Sequence, residues 1–175
     1  MDEIIFQIKN QTEINFINLK DQIEVAELET VYDGVSASRY IFHNLHSIDR
    51  FFINPNNYVY EGKKLFDIEE NLSIIDAERV GYIDNPSIVI SREKLLAYFD
   101  FVKNKIENYF NELTAQSLLE KPEGCAYSRL ELILAQFRHQ MWHAGLSSAI
   151  TFESKKIWNK YTGLSALNQQ LFGKS

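Results

Sequence analysis

The strongest helical signal in the chain is residues 128–150, which read SRLELILAQFRHQMWHAGLSSAI. Ser128 and Glu131 fit the S-x-x-E pattern of a capping box, in which each side chain satisfies a free backbone amide at a helix start. On a helical wheel, the segment is apolar on two opposed sides. One side carries Leu130, Ile133, Leu134, Phe137 and Met141, and the other carries Leu132, His139, His143, Leu146 and Ile150. The pattern predicts a helix that is largely buried.

His139 and His143 are four residues apart, so a helix places both imidazoles on one face, one turn apart. Within an apolar stripe each neutral ring needs a partner, because an unpaired buried polar group costs about 1–3 kcal/mol. One divalent metal ion would be a partner for both rings. The alternative is a pair of core histidines that are hydrogen-bonded to nearby carbonyls or to a carboxylate.

The other two histidines, His43 and His46, lie in a second predicted helix that spans residues 36–53. Its core stripe repeats at 4-3-4 spacing through Ile41, Leu45, Ile48 and Phe52. His43 lies nearly opposite this stripe, on the side that carries Ser36, Tyr40, Ser47 and Arg50. His46 lies between the two sides. Periodicity alone therefore favours His46 as the inward histidine, whereas a polar cleft between helices would favour His43.

Two further helical stretches are predicted, one over residues 12–29 and one that follows Ser91 and ends near Leu113. Asp33-Gly34 indicates a turn between the first two helices. Residues 54–90 have only weak hydrophobic periodicity, which predicts short helices or turns that fold over the long helices. One role for this segment is a lid over the site. The tail, residues 156–175, is predicted to pack against the outside in short helical pieces. Because proline and glycine are scarce, the chain predicts an all-α fold in one domain, residues 1–175.

Composition narrows the class of function. The net charge is −6 and there is no basic run, so nucleic-acid binding through a phosphate-neutralising patch is not expected. No apolar run approaches the roughly 20 residues that cross a membrane, and the acidic start lacks the layout of a signal peptide. With Cys125 as the single cysteine, no internal disulfide forms. These features predict a cytoplasmic protein, and Cys125, in a loop beside Pro122 and Gly124, is interpreted as an incidental thiol rather than a nucleophile.

The motif around the late histidines differs from that of the zinc peptidases. Those enzymes have a glutamate general base directly after the first histidine. Here that position holds Gln140, which cannot accept the proton. A peptidase of that type is therefore not expected.

Two segments resemble the histidine motifs of the DinB/YfiT-like family. In Phe42-His43-Asn44-Leu45-His46-Ser47-Ile48-Asp49-Arg50-Phe51-Phe52, the positions of His43, Leu45, Asp49 and Phe51 are similar to the first motif. Arg138-His139-Gln140-Met141-Trp142-His143-Ala144-Gly145 is similar to the second motif, His-x-x-x-His followed by a small residue. Chain length, helix order and motif order agree as well, so the resemblance covers nearly the whole chain.

The resemblance implies a four-helix bundle that holds one divalent metal, zinc or nickel, through three histidines. Carried over by position, these are His43, His139 and His143, with His46 as an alternate ligand or as a residue that contacts a ligand. It also implies a homodimer. The reaction it implies is a metal-dependent transfer that acts on a small-molecule substrate and involves a low-molecular-weight thiol. The alternatives are a metal-dependent hydrolase that activates water and a non-catalytic helical module for binding or stress response.

Four polar residues of the second helix are candidates to line the substrate and orient a bound thiol or water. They are Tyr40, Ser47, Asp49 and Arg50. The alternative for all four is a helix face in contact with solvent.

Overall fold

The computed structural model describes residues 2–76 and 88–164. In these residues the chain is mostly helical, and the predicted all-α class is confirmed. The helices are α1 (Glu3–Val25), α2 (Ala37–Phe51), α3 (Gly62–Phe66), α4 (Arg92–Glu112), α5 (Ala115–Leu119) and α6 (Arg129–Lys155). Single 3₁₀ turns occur at Pro55–Asn57 and Glu70–Ser73. A two-stranded antiparallel hairpin, β1 (Val31–Tyr32) and β2 (Val35–Ser36), joins α1 to α2.

The predicted helix starts of α4 and α6 are confirmed by their caps. At α6 the Ser128 hydroxyl accepts the Glu131 amide at 3.3 Å, and the Glu131 carboxylate accepts the Ser128 amide at 2.7 Å. At α4 the Ser91 hydroxyl accepts the amide of Lys94 at 3.3 Å. These bonds satisfy amides that have no partner inside the helix, which fixes where each helix begins.

The first helix differs from its prediction at both ends. It begins at Glu3 rather than near residue 12, because Ile5 and Ile8 bury their side chains in the main core. It ends at Val25, and the hairpin follows. Asp33 and Gly34 turn the hairpin at φ 48° and 76°, which confirms the turn predicted at these two residues.

The four long helices pack in a closed cycle, since α1 and α2 each contact both α4 and α6. The main apolar core lies chiefly between α1, α2 and α4, with residues such as Phe16, Leu45 and Val102 fully or almost fully buried. The all-α class is thus established, whereas the assignment to a four-helix bundle of the DinB/YfiT type stays a prediction. None of the helices among the described residues is long and apolar enough to cross a membrane.

The buried face of α6 is unusually polar. It carries Gln136, Gln140, His143, Ser147 and Thr151, together with the apolar Leu132, Ile133 and Ile150. The two-stripe pattern expected from the sequence is corrected here, because Leu134 and Met141 of the first stripe are 42% and 47% exposed. Polar side chains inside a helical protein need partners, so this face is where a site is expected.

The connection after α2 folds back over the helices as short turns, as predicted for its described residues. Its part 77–87 lies outside the described residues, so that part of the prediction is not addressed. The tail is not helical in residues 156–163, whereas residues 165–175 lie outside the described residues, so the prediction of helical pieces there is not addressed. The described part of the tail lies against α1, with Thr162 and Asn18 exchanging two hydrogen bonds of 2.7 and 2.9 Å.

Candidate metal centre

Three histidines from two helices converge between α2 and α6. His43 of α2 and His139 and His143 of α6 each offer a ring nitrogen, and these nitrogens lie within 4.8 Å of one another. The ring centroids of His43 and His139 are 5.2 Å apart, and each of these rings is 4.4 Å from that of His143. The three side chains could hold a metal ion.

The ring of His43 is oriented by a backbone carbonyl. Its Nδ1 lies 2.6 Å from the carbonyl oxygen of Ser73. A carbonyl only accepts, so Nδ1 carries the proton and, in the neutral ring, Nε2 keeps its lone pair. Metal-binding histidines are held in this way by a carbonyl or carboxylate on the second nitrogen. The Nε2 of His43 is therefore free to bind a metal ion.

The two histidines of α6 have buried nitrogens that lack partners. Within residues 2–76 and 88–164, no hydrogen-bond partner exists for Nε2 of His139 or Nδ1 of His143. Burial, and then the neighbouring His43, lowers the pKa of His139 to about 4. Burial, His43 and His139 together lower the pKa of His143 to about 3. Both rings are thus neutral at neutral pH, which is the protonation state that a metal ion requires.

His46 lies outside this cluster. Its Nε2 is 3.0 Å from a carboxylate oxygen of Glu70, and its ring packs against those of Tyr58 and Tyr60. The periodicity argument correctly placed His46 inward, since His46 is 6% exposed and His43 is partly buried, but burial does not select the member of the cluster. Because α2 is buried on nearly all sides, between α4, α6 and the Glu70–Ser73 turn, His43 faces α6 while His46 faces Glu70.

Ser47 and Tyr40 lie on the same side of α2 as His43, and both already have partners. The Ser47 hydroxyl donates to Oε1 of Gln136 on α6 at 3.2 Å, one turn of each helix away from the histidines. The Tyr40 hydroxyl donates to the carbonyl of Tyr32 in the hairpin at 3.1 Å. Of the four predicted lining residues, Ser47 is the one for which the described residues show a side-chain hydrogen bond from α2 to α6.

Asp49 and Arg50 belong to a different polar group. The Asp49 carboxylate is almost fully buried and accepts bonds from Lys105 at 2.6 Å, Tyr98 at 2.8 Å and Tyr58 at 2.9 Å. Burial, and then Asp49, raises the pKa of both tyrosines, so they remain protonated donors. Arg50 is exposed, with its guanidinium over the ring of Phe51. The predicted lining role is not supported for either residue.

Arg39 and Ser73, which the sequence analysis did not single out, support the cluster from outside. The guanidinium of Arg39 is fully buried and donates to the carbonyls of Leu72 and Ile74. His43 lies one turn further along α2, and its Nδ1 donates to the carbonyl of Ser73, which lies between Leu72 and Ile74 in the chain. Arg39, His43 and His46 are spaced at i, i+4 and i+7, so they lie on one face of α2. This spacing was the signal in the sequence that one face of α2 binds a neighbouring segment, which is residues 70–74.

Comparison with the known protein families, with curated proteins and with solved structures finds no match to this chain. The resemblance to the DinB/YfiT-like proteins therefore stays a prediction that rests on the two histidine motifs. The case for a function rests on the geometry of His43, His139 and His143.

Proposed function

We propose that the chain is a metal-dependent enzyme whose divalent ion is held by His43, His139 and His143. The observation that carries the proposal is the convergence of three ring nitrogens within 4.8 Å from two separate helices. Ligand nitrogens on a tetrahedral zinc ion are about 3.3 Å apart, given zinc–nitrogen bonds of about 2.0–2.1 Å. Small rotations of the side chains would bring the three rings to that spacing.

The chemistry of the donors supports the fit to a metal. The cluster contains three neutral imidazoles and no carboxylate, a set that suits zinc, nickel or iron better than magnesium or calcium. Two of the rings have a buried nitrogen without a partner in the described part of the chain. An ion would supply what these nitrogens lack, whereas in its absence each costs about 1–3 kcal/mol.

Three protein ligands leave a coordination position free, which is the pattern of catalytic rather than structural zinc sites. An ion at such a site lowers the pKa of a bound thiol or water and so provides a nucleophile at neutral pH. The chain's own contribution is to keep the proton of His43 on Nδ1, through Ser73, and to hold α2 against α6 through Ser47 and Gln136. We propose a thiol-dependent transferase, for which the histidine motifs provide the support.

The first test is metal content. The untagged protein and its His139→Ala variant are purified and their bound metals are measured by elemental analysis. The proposal expects close to one zinc, nickel or iron per wild-type chain and a loss of most of it in the variant. A wild-type protein that carries none of these metals and takes up neither zinc nor nickel would contradict every metal-dependent function.

The second test separates thiol transfer from hydrolysis. The cobalt-substituted protein is titrated with 2-mercaptoethanol and, as a matched control, with ethylene glycol, which lacks sulfur. A thiol-dependent enzyme is expected to give a saturable change of the cobalt spectrum with 2-mercaptoethanol alone. No change with either compound would favour activation of water, and hence the hydrolase.

A further inference from the structure

A pocket lies on the far side of α6 from the histidines. It has a volume of about 180 Å³ and is formed by α1, α6 and the tail. Its lining includes Asn18, Gln22, Ala144, Gly145, Asn159 and Tyr161. Gly145 follows His143 by two residues, which is about 200° around the helix. The pocket is therefore separate from the metal centre.

Three polar atoms at this pocket have no partner among the described residues. Gln22 is 4% exposed, and its Nε2 donates to the carbonyl of Ala144 at 3.3 Å, which leaves Oε1 as an unsatisfied acceptor. Both the Oδ1 and the Nδ2 atoms of Asn159 are shielded from solvent and unsatisfied as well. The side chains of Gln22 and Asn159, which line the pocket, thus carry two unsatisfied acceptors and one unsatisfied donor, and rotation of each side chain would turn these atoms towards a ligand.

The walls of the pocket are held in place independently of any ligand. Asn18 exchanges two hydrogen bonds with Thr162, and the backbone amide of Lys160 donates to the Asp21 carboxylate at 2.7 Å. These bonds fix the tail on α1 directly after Asn159. On the α6 wall, a Cβ added at Gly145 would meet nothing within 4 Å, so the missing side chain leaves open space.

We propose that this pocket binds a small molecule through a primary carboxamide group. Such a group has two N–H donors and one carbonyl acceptor. These match the two acceptors, Gln22 Oε1 and Asn159 Oδ1, and the one donor, Asn159 Nδ2. A carboxylate would offer no donor to Gln22, and a ketone would satisfy Asn159 Nδ2 alone.

The test uses benzamide as the probe and acetophenone as the control, which keeps the ring and carbonyl but lacks the N–H groups. The side-chain amide signals of Gln22 and Asn159 are followed by NMR in the full-length ¹⁵N-labelled protein. The proposal expects saturable shifts of both signals with benzamide and at least about tenfold weaker binding of acetophenone, since about 1.4 kcal/mol corresponds to tenfold. The proposal would be overturned if benzamide had no effect, which would mean that ordered water is the only occupant of the pocket. Equal binding of benzamide and acetophenone would overturn it as well.

Two variants of Gly145 test the location. Gly145→Leu fills the open space and is expected to weaken benzamide at least about tenfold, whereas Gly145→Ala keeps affinity within about twofold. Gln22→Met, which removes the acceptor and keeps the length of the side chain, is expected to weaken benzamide about tenfold. Unchanged affinity in both Gly145→Leu and Gln22→Met would overturn the proposal, and metal content plays no part in this readout.

Discussion

The Nδ1 of His43 lies 2.6 Å from the carbonyl oxygen of Ser73. This bond connects the histidine cluster to the turn Glu70–Ser73, which Arg39 holds from one helical turn earlier on α2. A buried guanidinium thus holds the turn whose carbonyl orients the imidazole of one candidate ligand.

The two histidines of α2 are expected to differ sharply in their effect on metal binding. His43→Ala removes one of three ligands and should lower zinc affinity at least about a hundredfold, a loss of about 2.7 kcal/mol. His46→Ala removes a side chain that is bound to Glu70 and is not one of the three candidate ligands, so its zinc affinity should stay within about threefold of wild type. Competition with a chromophoric zinc chelator measures both. Equal losses in the two variants would contradict the assignment of His43.

Arg39 is expected to influence the centre through Ser73. Arg39→Met leaves the carbonyls of Leu72 and Ile74 without this donor and should cost about 2–4 kcal/mol of unfolding free energy. Because Ser73 lies between those carbonyls, zinc affinity should also fall about 10-fold to 100-fold, as for other residues that orient a metal ligand. Urea denaturation and zinc competition give the two values.

Arg50→Met provides the matched control on the same helix. Arg50 is exposed and its closest carboxylate contact, to Glu70, is 3.9 Å, so the change should cost less than about 1 kcal/mol. Its zinc affinity should equal that of wild type. An Arg39→Met protein that is destabilised but binds zinc normally would show that Ser73 does not act on His43.

Asp49 is expected to be important for stability and irrelevant to the metal. Asp49→Asn weakens bonds to Lys105, Tyr58 and Tyr98 and leaves a cation without its buried partner, so we expect a loss of about 2–4 kcal/mol. Asp100→Asn, an exposed aspartate on α4, is the control and should change stability by less than about 0.5 kcal/mol. Metal content should be unchanged in both. A loss of metal in Asp49→Asn but not in Asp100→Asn would contradict this prediction and would indicate that Asp49 belongs to the metal site.

Sequence periodicity and capping signals located the long helices well, since those signals are local. Ser128 and Ser91 each mark a helix start by a bond to an amide three residues later. The start of α1 was missed because it depends on burial of Ile5 and Ile8 by distant parts of the chain. The polar interior was missed for the same reason, because the environment of Gln136 and Gln140 is decided by neighbouring helices rather than by α6 itself.

For the site, the wheel predicted His139 and His143 side by side because their spacing belongs to a single helix. The choice between His43 and His46 could not be made from α2 alone. Both are largely buried, and what separates them is whether the neighbour is α6 or Glu70. The motif resemblance selected His43 where periodicity favoured His46. Ser73 gave no signal, since it contributes a backbone carbonyl that any residue would provide.

The stability of the metal-free protein should fall as the pH drops from 7 to 5. In the folded chain the pKa of His143 lies at about 3, below its ordinary value of 6.5, because the ring is buried beside two other histidines. The unfolded chain therefore binds a proton at this residue below pH 6.5 while the folded chain does not, and protonation favours unfolding. At pH 5 this costs up to about 2 kcal/mol for His143. Above pH 7 both states are neutral, so the pH dependence from this residue disappears.

Urea denaturation at pH 5, 6, 7 and 8 with a chelator present measures this dependence, in wild type and in His143→Gln. Glutamine does not titrate, so the variant should lose less stability than wild type between pH 7 and pH 5, by up to about 2 kcal/mol. The comparison of slopes is independent of any constant loss that the substitution causes. If both proteins lose the same free energy over this range, His143 is not held neutral by the fold, and the prepared, proton-free cluster on which the metal proposal depends does not exist.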